Sequence, residues 1–505
     1  IVPELPPRLA ALGAMVHGRA AARASGCGGP HGAIGRPIAA LDVVEALPAT
    51  IASLLGDECP PPDAVLSRRA SGPGKRRCWR DRAGATAGAD ALRPRPPTSS
   101  EKGDQPMSHL RAIINLDAIR HNVRRLLELA DGADLMAVVK ANAYGHGAVP
   151  VAVAAIDAGA TWLGIAQLGE AFDVVAELGP ARRDARVLAW LYHPRADFAA
   201  AVAAGIELGV SSTEALEGIA DAVRRAVLSG AARGAAGPAL VANVHLKLDT
   251  GLGRAGAPGL LWTKLVADAL RLEAEGVIRV VGAWSHFAYA DDPGNPTIAG
   301  QIAAFEAGLE RAEAMGARFE VRHLANSAAL ATGLPVSYDL VRPGSALYGI
   351  SPIPQVASGA DLGLVGAMAL ESHISLVKPV PAGQGLSYGH TYVTQHDTIT
   401  GMVPVGYADG LFRSASNKGR VRVGGRTLNV AGRICMDQFV LDLGLGAREQ
   451  VGDRVLLFGP GLDGEPTVQD WADAAGTISY EITTRIPEHV ERYYIGLGTR
   501  EGRLK

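Results

Sequence analysis

Apolar positions along this chain follow first a helical and then a strand-like spacing. In LDAIRHNVRRLLELA, Ile119, Val123, Leu126, Leu127 and Ala130 share one face of a 3.6-residue repeat, with Asp117 as the expected N-cap. Short apolar runs then recur at LMAVVKA from 135, TWLGIA from 161, RVLAWL from 186 and IELGVSS from 206. They continue at ANVHLKLDT from 242, IRVVGAWSHF from 278, FEVRHLANS from 319 and LVRPGSALYG from 340. Helical patterns lie between them, as in QIAAFEAGLERAEAMG, where Ile302, Phe305, Leu309 and Ala312 align. Eight strand-then-helix units over about 250 residues predict an α/β fold, a (β/α)8 TIM-type barrel over 107–363.

After PIPQVASGADLG the pattern changes to short alternating strands with tight turns. RVRVGGRTLNV predicts a Gly-Gly hairpin, and HISLVKPV, TITGMVPVGYADG and GDRVLLFG read as further strands, so a mostly β domain is expected over 364–505.

Upstream of Met107 the chain reads differently. Residues 58–106 are rich in Pro, Gly and Arg without apolar periodicity, the composition of a disordered linker. Its basic cluster (Arg68, Arg69, Lys75, Arg76, Arg77, Arg80, Arg82) is read as solvated rather than as a nucleic-acid site. Residues 1–57, with LAALGAMVHGRAAARASG and GRPIAALDVVEALPATIASLLG, resemble the C-terminal end of an ADP/ATP-dependent NAD(P)H-hydrate dehydratase. The resemblance spans too little chain for that enzyme's ATP site, so the stretch is expected to be a remnant.

Composition narrows the function classes. At 505 residues there is chain enough for two substantial cores. The net charge of −2 gives no field for nucleic acid or an anionic membrane, and no apolar stretch approaches a spanning helix. The four cysteines (Cys27, Cys59, Cys78, Cys435) lack metal-ligand spacing, which points to a reduced, cytoplasmic protein without a structural metal.

The chemistry gathers where barrel strands end. AVVKANAYGHG places Lys140 at the end of the first barrel strand and follows it with small residues. Other strand ends carry Lys247, Asp249, Arg254, His286, Asn326, Ser327, Arg342 and Gly344, and the C-terminal strand ends of such a barrel converge on its active site. A lysine with little bulk around it suits a Schiff base with a planar cofactor. Ser327 and the RPGS turn at 342–345 can cradle a phosphate, which together suggests pyridoxal 5′-phosphate.

Taken in order, AVVKANAYGHG, LKLDTGLGRAG, WSHFAYADDP, LANSAA, DLVRPGSALYGISP, LSYGHTY, PVGYADG and GRICMDQF resemble alanine racemase, a fold-type III pyridoxal-phosphate enzyme, from about Asn115 onward. The resemblance implies a homodimer with shared active sites that interconverts L- and D-alanine and supplies D-alanine for peptidoglycan. By the same resemblance, Lys140 holds the cofactor and serves the D-face. Tyr388 from the partner subunit serves the L-face, because racemisation needs a proton taken from one side and returned to the other. Tyrosine, with an ordinary pKa of about 10, needs local help to act as a base, and His286 and Arg254 are implied to give it.

Arg342 is implied to donate to the pyridine nitrogen, which a guanidinium cannot protonate at neutral pH. Tyr144, Ser327, Gly344 and Ser345 are implied to surround the phosphate. Arg254 and Met436 are implied to meet the substrate carboxylate, and Lys247 matches a lysine that is often carbamylated. An ungapped comparison puts Glu488 where relatives carry a tyrosine that reaches the phosphate, which predicts looser selectivity for alanine over serine. A decarboxylase of basic amino acids shares the fold but would pair the pyridine nitrogen with a glutamate, against Arg342. A non-catalytic pyridoxal-phosphate carrier would lack the β domain and Tyr388.

Overall fold

In a computed structural model of the chain, residues 108–229, 240–462 and 464–496 are described; the stretches 1–57 and 58–106 lie outside them. The first described strand, β1 (Arg111–Asn115), leads into helix α1 (Leu116–Leu129). Asn115, not Asp117, is the N-cap: its Oδ1 accepts from the amides of Asp117 at 3.0 Å and Ala118 at 3.3 Å. Asp117 instead stands in the first turn, where its charge favours the helix dipole.

Eight parallel strands follow: β2 (Asp134–Val138), β3 (Trp162–Gln167), β4 (Arg186–Leu191), β5 (Ile206–Val210), β6 (Ala242–Lys247), β7 (Ile278–Trp284), β8 (Val321–His323) and β9 (Leu340–Val341). Each coincides with one of the apolar runs. Most of their residues are apolar because both faces are covered, by helices outside and by barrel filling inside, with single polar residues such as Glu207, His245 and His323 among them. Met136, Trp162, Leu188, Val281, Val321 and Leu340 form an interior cluster of their own. The ring joins where β9 pairs with β2, Asp134 opposite Leu340 and Leu135 opposite Val341, and an Asn326–Arg342 bridge spans the remaining seam.

The second domain is built from sheets, as expected, with one difference in its membership. β1 lies within it, next to the edge, antiparallel to β10 (Met368–His373) and parallel to the edge strand Glu491–Ile495, so a strand upstream of the barrel completes the six-stranded sheet. Glu371 of β10 is buried at 4% exposure and bridges the guanidinium groups of Arg111 and Arg454, clasping three strands together. The Gly424-Gly425 turn joins Arg420–Val423 to Arg426–Asn429 as the sequence predicts. Among the described residues no helix is long and apolar enough to cross a membrane.

This arrangement predicts two outcomes for shortened chains. A chain beginning at Met107 should keep the cooperative thermal transition of the full chain, whereas one beginning at Leu116, lacking β1, should lose it. Circular dichroism on heating checks both.

Candidate active site

The small residues after Lys140 serve a backbone purpose as well as clearing space. Ala141, Asn142, Ala143 and Tyr144 all have φ between 51° and 54°, a left-handed turn made without glycine. Each such residue costs roughly 1–2 kcal/mol, least for short side chains, which accounts for the Ala-Asn-Ala composition. The turn is held by its surroundings: the Glu170 carboxylate accepts from Ala141 N at 3.1 Å and Asn142 N at 2.6 Å, and Asn142 Oδ1 accepts from Ala148 N at 2.8 Å. The outcome is a lysine fixed at a strand end with the Tyr144 ring centroid 5.9 Å from its Nζ.

Lys140 opens into a cavity of about 380 Å³ at the C-terminal ends of the strands, shared with Lys247, Arg254, His286 and Arg342. No Asp or Glu lines it among the described residues. Burial, then the Arg254 charge, lowers the Lys140 amine below its ordinary value. Burial with Arg342 and Arg254 brings Lys247 down to about 8, its Nζ 4.3 Å over the Trp284 ring. His286 is pushed well below 6.5 by burial and by the same cations, so it is neutral near pH 7. Arg342, 6% exposed, is lowered to about 9 by burial and remains a cation at neutral pH. A pocket lined by four basic side chains, Lys247 and Arg342 among them buried, without a facing carboxylate among the described residues, is suited to an anion.

Hydroxyls and backbone gather at the other end. Ser327 Oγ accepts from Gly344 N at 2.8 Å and Ala346 N at 3.4 Å, and Ser345 Oγ donates to the Tyr480 hydroxyl at 2.9 Å. A Cβ on Gly344 would lie 2.4 Å from the Tyr144 hydroxyl, so only glycine lets that ring close over the turn. Trp190, Trp284 and Val138 form apolar walls between the two ends.

Three predicted residues stand apart from this pocket, and one of them, Asp249, turns its carboxylate to its own loop, accepting from Gly251 N at 3.0 Å and Gly253 N at 3.1 Å. Tyr388 and Met436 lie in the β domain and are 72% and 53% exposed. They are held near one another: Ser387, with φ +60°, donates to Arg433 O at 2.7 Å and contacts Cys435 Sγ at 3.3 Å.

Family models for the alanine racemase N-terminal domain and C-terminal domain match residues 114–352 and 367–494. The chain belongs to the alanine racemase family. It is 51% identical to the alanine racemase of Streptomyces coelicolor over 79% of this chain and 99% of that one, and 45% identical to that of Mycobacterium avium over 76% and 94%. The solved Streptomyces coelicolor structure superposes with a TM-score of 0.73 over 77% of this chain and 98% of its own. An alanine racemase from Bacillus anthracis, solved with bound L-Ala-P, is 30% identical with a TM-score of 0.66, covering 79% of this chain and 98% of its own.

One expectation is overturned within this alanine racemase fold. Tyr480, not Glu488, is the residue near the C-terminus that reaches the Ser345 end of the pocket. Glu488 lines a separate groove behind the left-handed turn, with Glu170, Arg492 and Tyr494. The ungapped count failed because the short helix Ser479–Thr484 presents Tyr480 to the pocket and the chain then turns away. Reading by residue also missed Trp190 and Trp284, although each stands at the end of a barrel strand, the position that marked Lys140.

The turn makes its own prediction. Glu170→Ala should lower stability by about 1 kcal/mol, the smaller end of the range for losing acceptors because Ala141 and Asn142 are exposed. Glu170→Gln, which keeps one acceptor oxygen, should lose less; chemical denaturation of the two variants checks the order.

Proposed function

We propose that this chain interconverts L- and D-alanine with pyridoxal 5′-phosphate, using Lys140 and Tyr388 as the two acid/base groups. The observation that carries the reading is a lysine amine depressed by burial at one end of a cation-lined pocket whose other end is hydroxyls and a glycine cradle. These residues fit the cofactor: Lys140 to bond it, Arg342 to donate to its ring nitrogen, and Tyr144, Ser327, Gly344, Ser345 and Tyr480 around the phosphate. Trp190 and Val138 would pack on the ring, and His286 would lie beside it. Pyridoxal phosphate, when bound, supplies the electron-withdrawing ring that makes the α-proton of an attached amino acid acidic.

The chain's own groups then divide the work. Arg254 at the pocket mouth is suited to the substrate carboxylate by a charge-assisted pair, and Met436, near Tyr388 in the β domain, would close the same side from a second copy of the chain. Lys247 would react with carbon dioxide through its neutral amine, a form that its lowered pKa makes accessible near neutrality, forming an N–C bond and releasing one proton to solvent; the resulting carbamate would orient Arg254. Arg342 keeps its protons, so the ring nitrogen receives a hydrogen bond without a proton. Lys140 Nζ takes and returns the proton on one face. The two tyrosines of the pocket, Tyr144 and Tyr480, stand at its phosphate end, and Tyr388, exposed in the β domain, would serve the opposite face from a second copy of the chain in a homodimer.

With Tyr480 at the phosphate end, the reason for expecting looser selectivity falls away, and alanine is the substrate the pocket supports. D-alanine made in the cytoplasm would feed peptidoglycan synthesis.

Complementation tests the shared site. Lys140→Ala and Tyr388→Phe homodimers should each be nearly inactive. After subunit exchange about half the dimers are mixed, each with one complete site, so racemisation should recover to about a quarter of the unaltered protein. No recovery after confirmed exchange would place both groups on one chain and overturn the shared site.

A further inference from the structure

From Arg342 a line of side chains with no place of their own in the pocket chemistry runs down the inside of the barrel. Arg342 Nη1 lies 3.1 Å from His323 Nδ1, His323 Nε2 lies 2.9 Å from His245 Nδ1, and His245 Nε2 lies 2.9 Å from Glu207 Oε2. Glu207 in turn accepts from Arg186 Nη2 at 2.9 Å. Arg186 is the first residue of β4 and Glu207 the second of β5, at the N-terminal mouth, while Arg342 follows β9 at the pocket, so the line crosses the barrel from end to end.

The backbone is shaped for it. The register of β6 on β7 shifts between Val244 and His245, and a Cβ on Gly282 would lie 2.4 Å from His245 Nδ1. Both imidazoles are fully buried, at 0% exposure. His323 stacks on Trp284 at 5.6 Å, and the edge of Trp162 meets His245 at 5.4 Å.

Only one arrangement of protons satisfies this line. A guanidinium can only donate, so His323 Nδ1 must accept and its proton sits on Nε2. That proton points at His245 Nδ1, which must accept, leaving the His245 proton on Nε2 to meet the carboxylate. A carboxylate can only accept, so the line closes without conflict. Burial, above all, keeps both histidines below their ordinary pKa and therefore neutral. Burial alone would raise the Glu207 carboxyl, but hydrogen bonds from His245 and Arg186 outweigh it and hold it ionised. If His245 carried its proton on Nδ1 instead, His323 would be forced to carry its own on Nδ1, facing the Arg342 donor.

We propose that Glu207, at the opposite mouth of the barrel from the pocket, is a positioning residue for Arg342, fixing the tautomers of His245 and His323 so that the guanidinium is held in one orientation. Arg342 Nη2 donates to Ser285 O at 2.7 Å and Leu324 O at 3.2 Å, and the His323 nitrogen is its third acceptor. The remaining N–H groups are left for the pocket. The inference rests on the reading above for what Arg342 does to a bound cofactor; the proton order belongs to the chain alone.

Neutron diffraction from the cofactor-loaded, deuterium-exchanged protein reads that order directly. Deuterium on Nε2 of both histidines, and on neither Nδ1, is expected; deuterium on Nδ1 of either ring overturns the proposal. This holds whether or not the protein racemises alanine, so failure of the functional reading would show separately as absent activity. Kinetics give the second arm. Glu207→Met removes the acceptor and should cut kcat about tenfold, with KM for alanine within about twofold, because Arg342 faces cofactor rather than substrate. Glu207→Gln keeps an acceptor oxygen for His245 and should retain most of kcat. Equal losses in the two variants, or no loss in either, would overturn the positioning role. Should Glu207→Met fail to fold, Gly282→Ala, which presses on His245 from β7, should reproduce its kcat loss; an unchanged kcat there counts against the proposal.

Discussion

Closure of the barrel between β2 and β9 is the pairing on which the site depends. It involves two residues on each strand, extended by Val138 N to Pro343 O at 3.1 Å and the Tyr348 hydroxyl to Val138 O at 2.9 Å. Through that contact Lys140, at the end of β2, comes beside Arg342 and Gly344, which follow β9. Were the seam open, the amine and the guanidinium would be on opposite edges of a sheet. Closing it concentrates positive charge where little water reaches, and the pocket becomes the part of the barrel that most needs a bound anion. Its ligand is thus tied to the stability of the fold that positions it.

The second consequence concerns direction. Lys140 is aimed by a strained left-handed turn whose amides are met by Glu170, and Arg342 is aimed by carbonyl acceptors at the ends of β7 and β8 and by a buried line of histidines. Both cations are held by groups outside the pocket, which leaves its interior free of carboxylates. That separation keeps positive charge available for a bound anion instead of neutralising it internally.

Much of this was legible in the sequence. All eight barrel strands were marked by apolar runs, because strands covered on both faces cannot hide their composition. Lys140, Lys247, Arg254, His286, Ser327 and Arg342 were marked by standing where those runs stop. What escaped has physical reasons. β1 is five residues long, and its partners lie far away in sequence, so nothing local separates it from the barrel. The left-handed turn lacks the glycines that usually announce positive φ. Glu207, His245 and His323 sit inside apolar strands, where single polar residues look like exceptions until their partners are seen. Tyr480 was lost to a count made without allowing for a short helix.

The central claim is that Lys140 is the group to which the cofactor is bonded. Borohydride reduction of the cofactor-loaded protein, followed by proteolysis and mass spectrometry of the fixed label, tests it most directly. The account predicts loss of the visible absorbance band and a single modified peptide carrying Lys140. Label on Lys247 or any other lysine, with Lys140 unmodified, would contradict it.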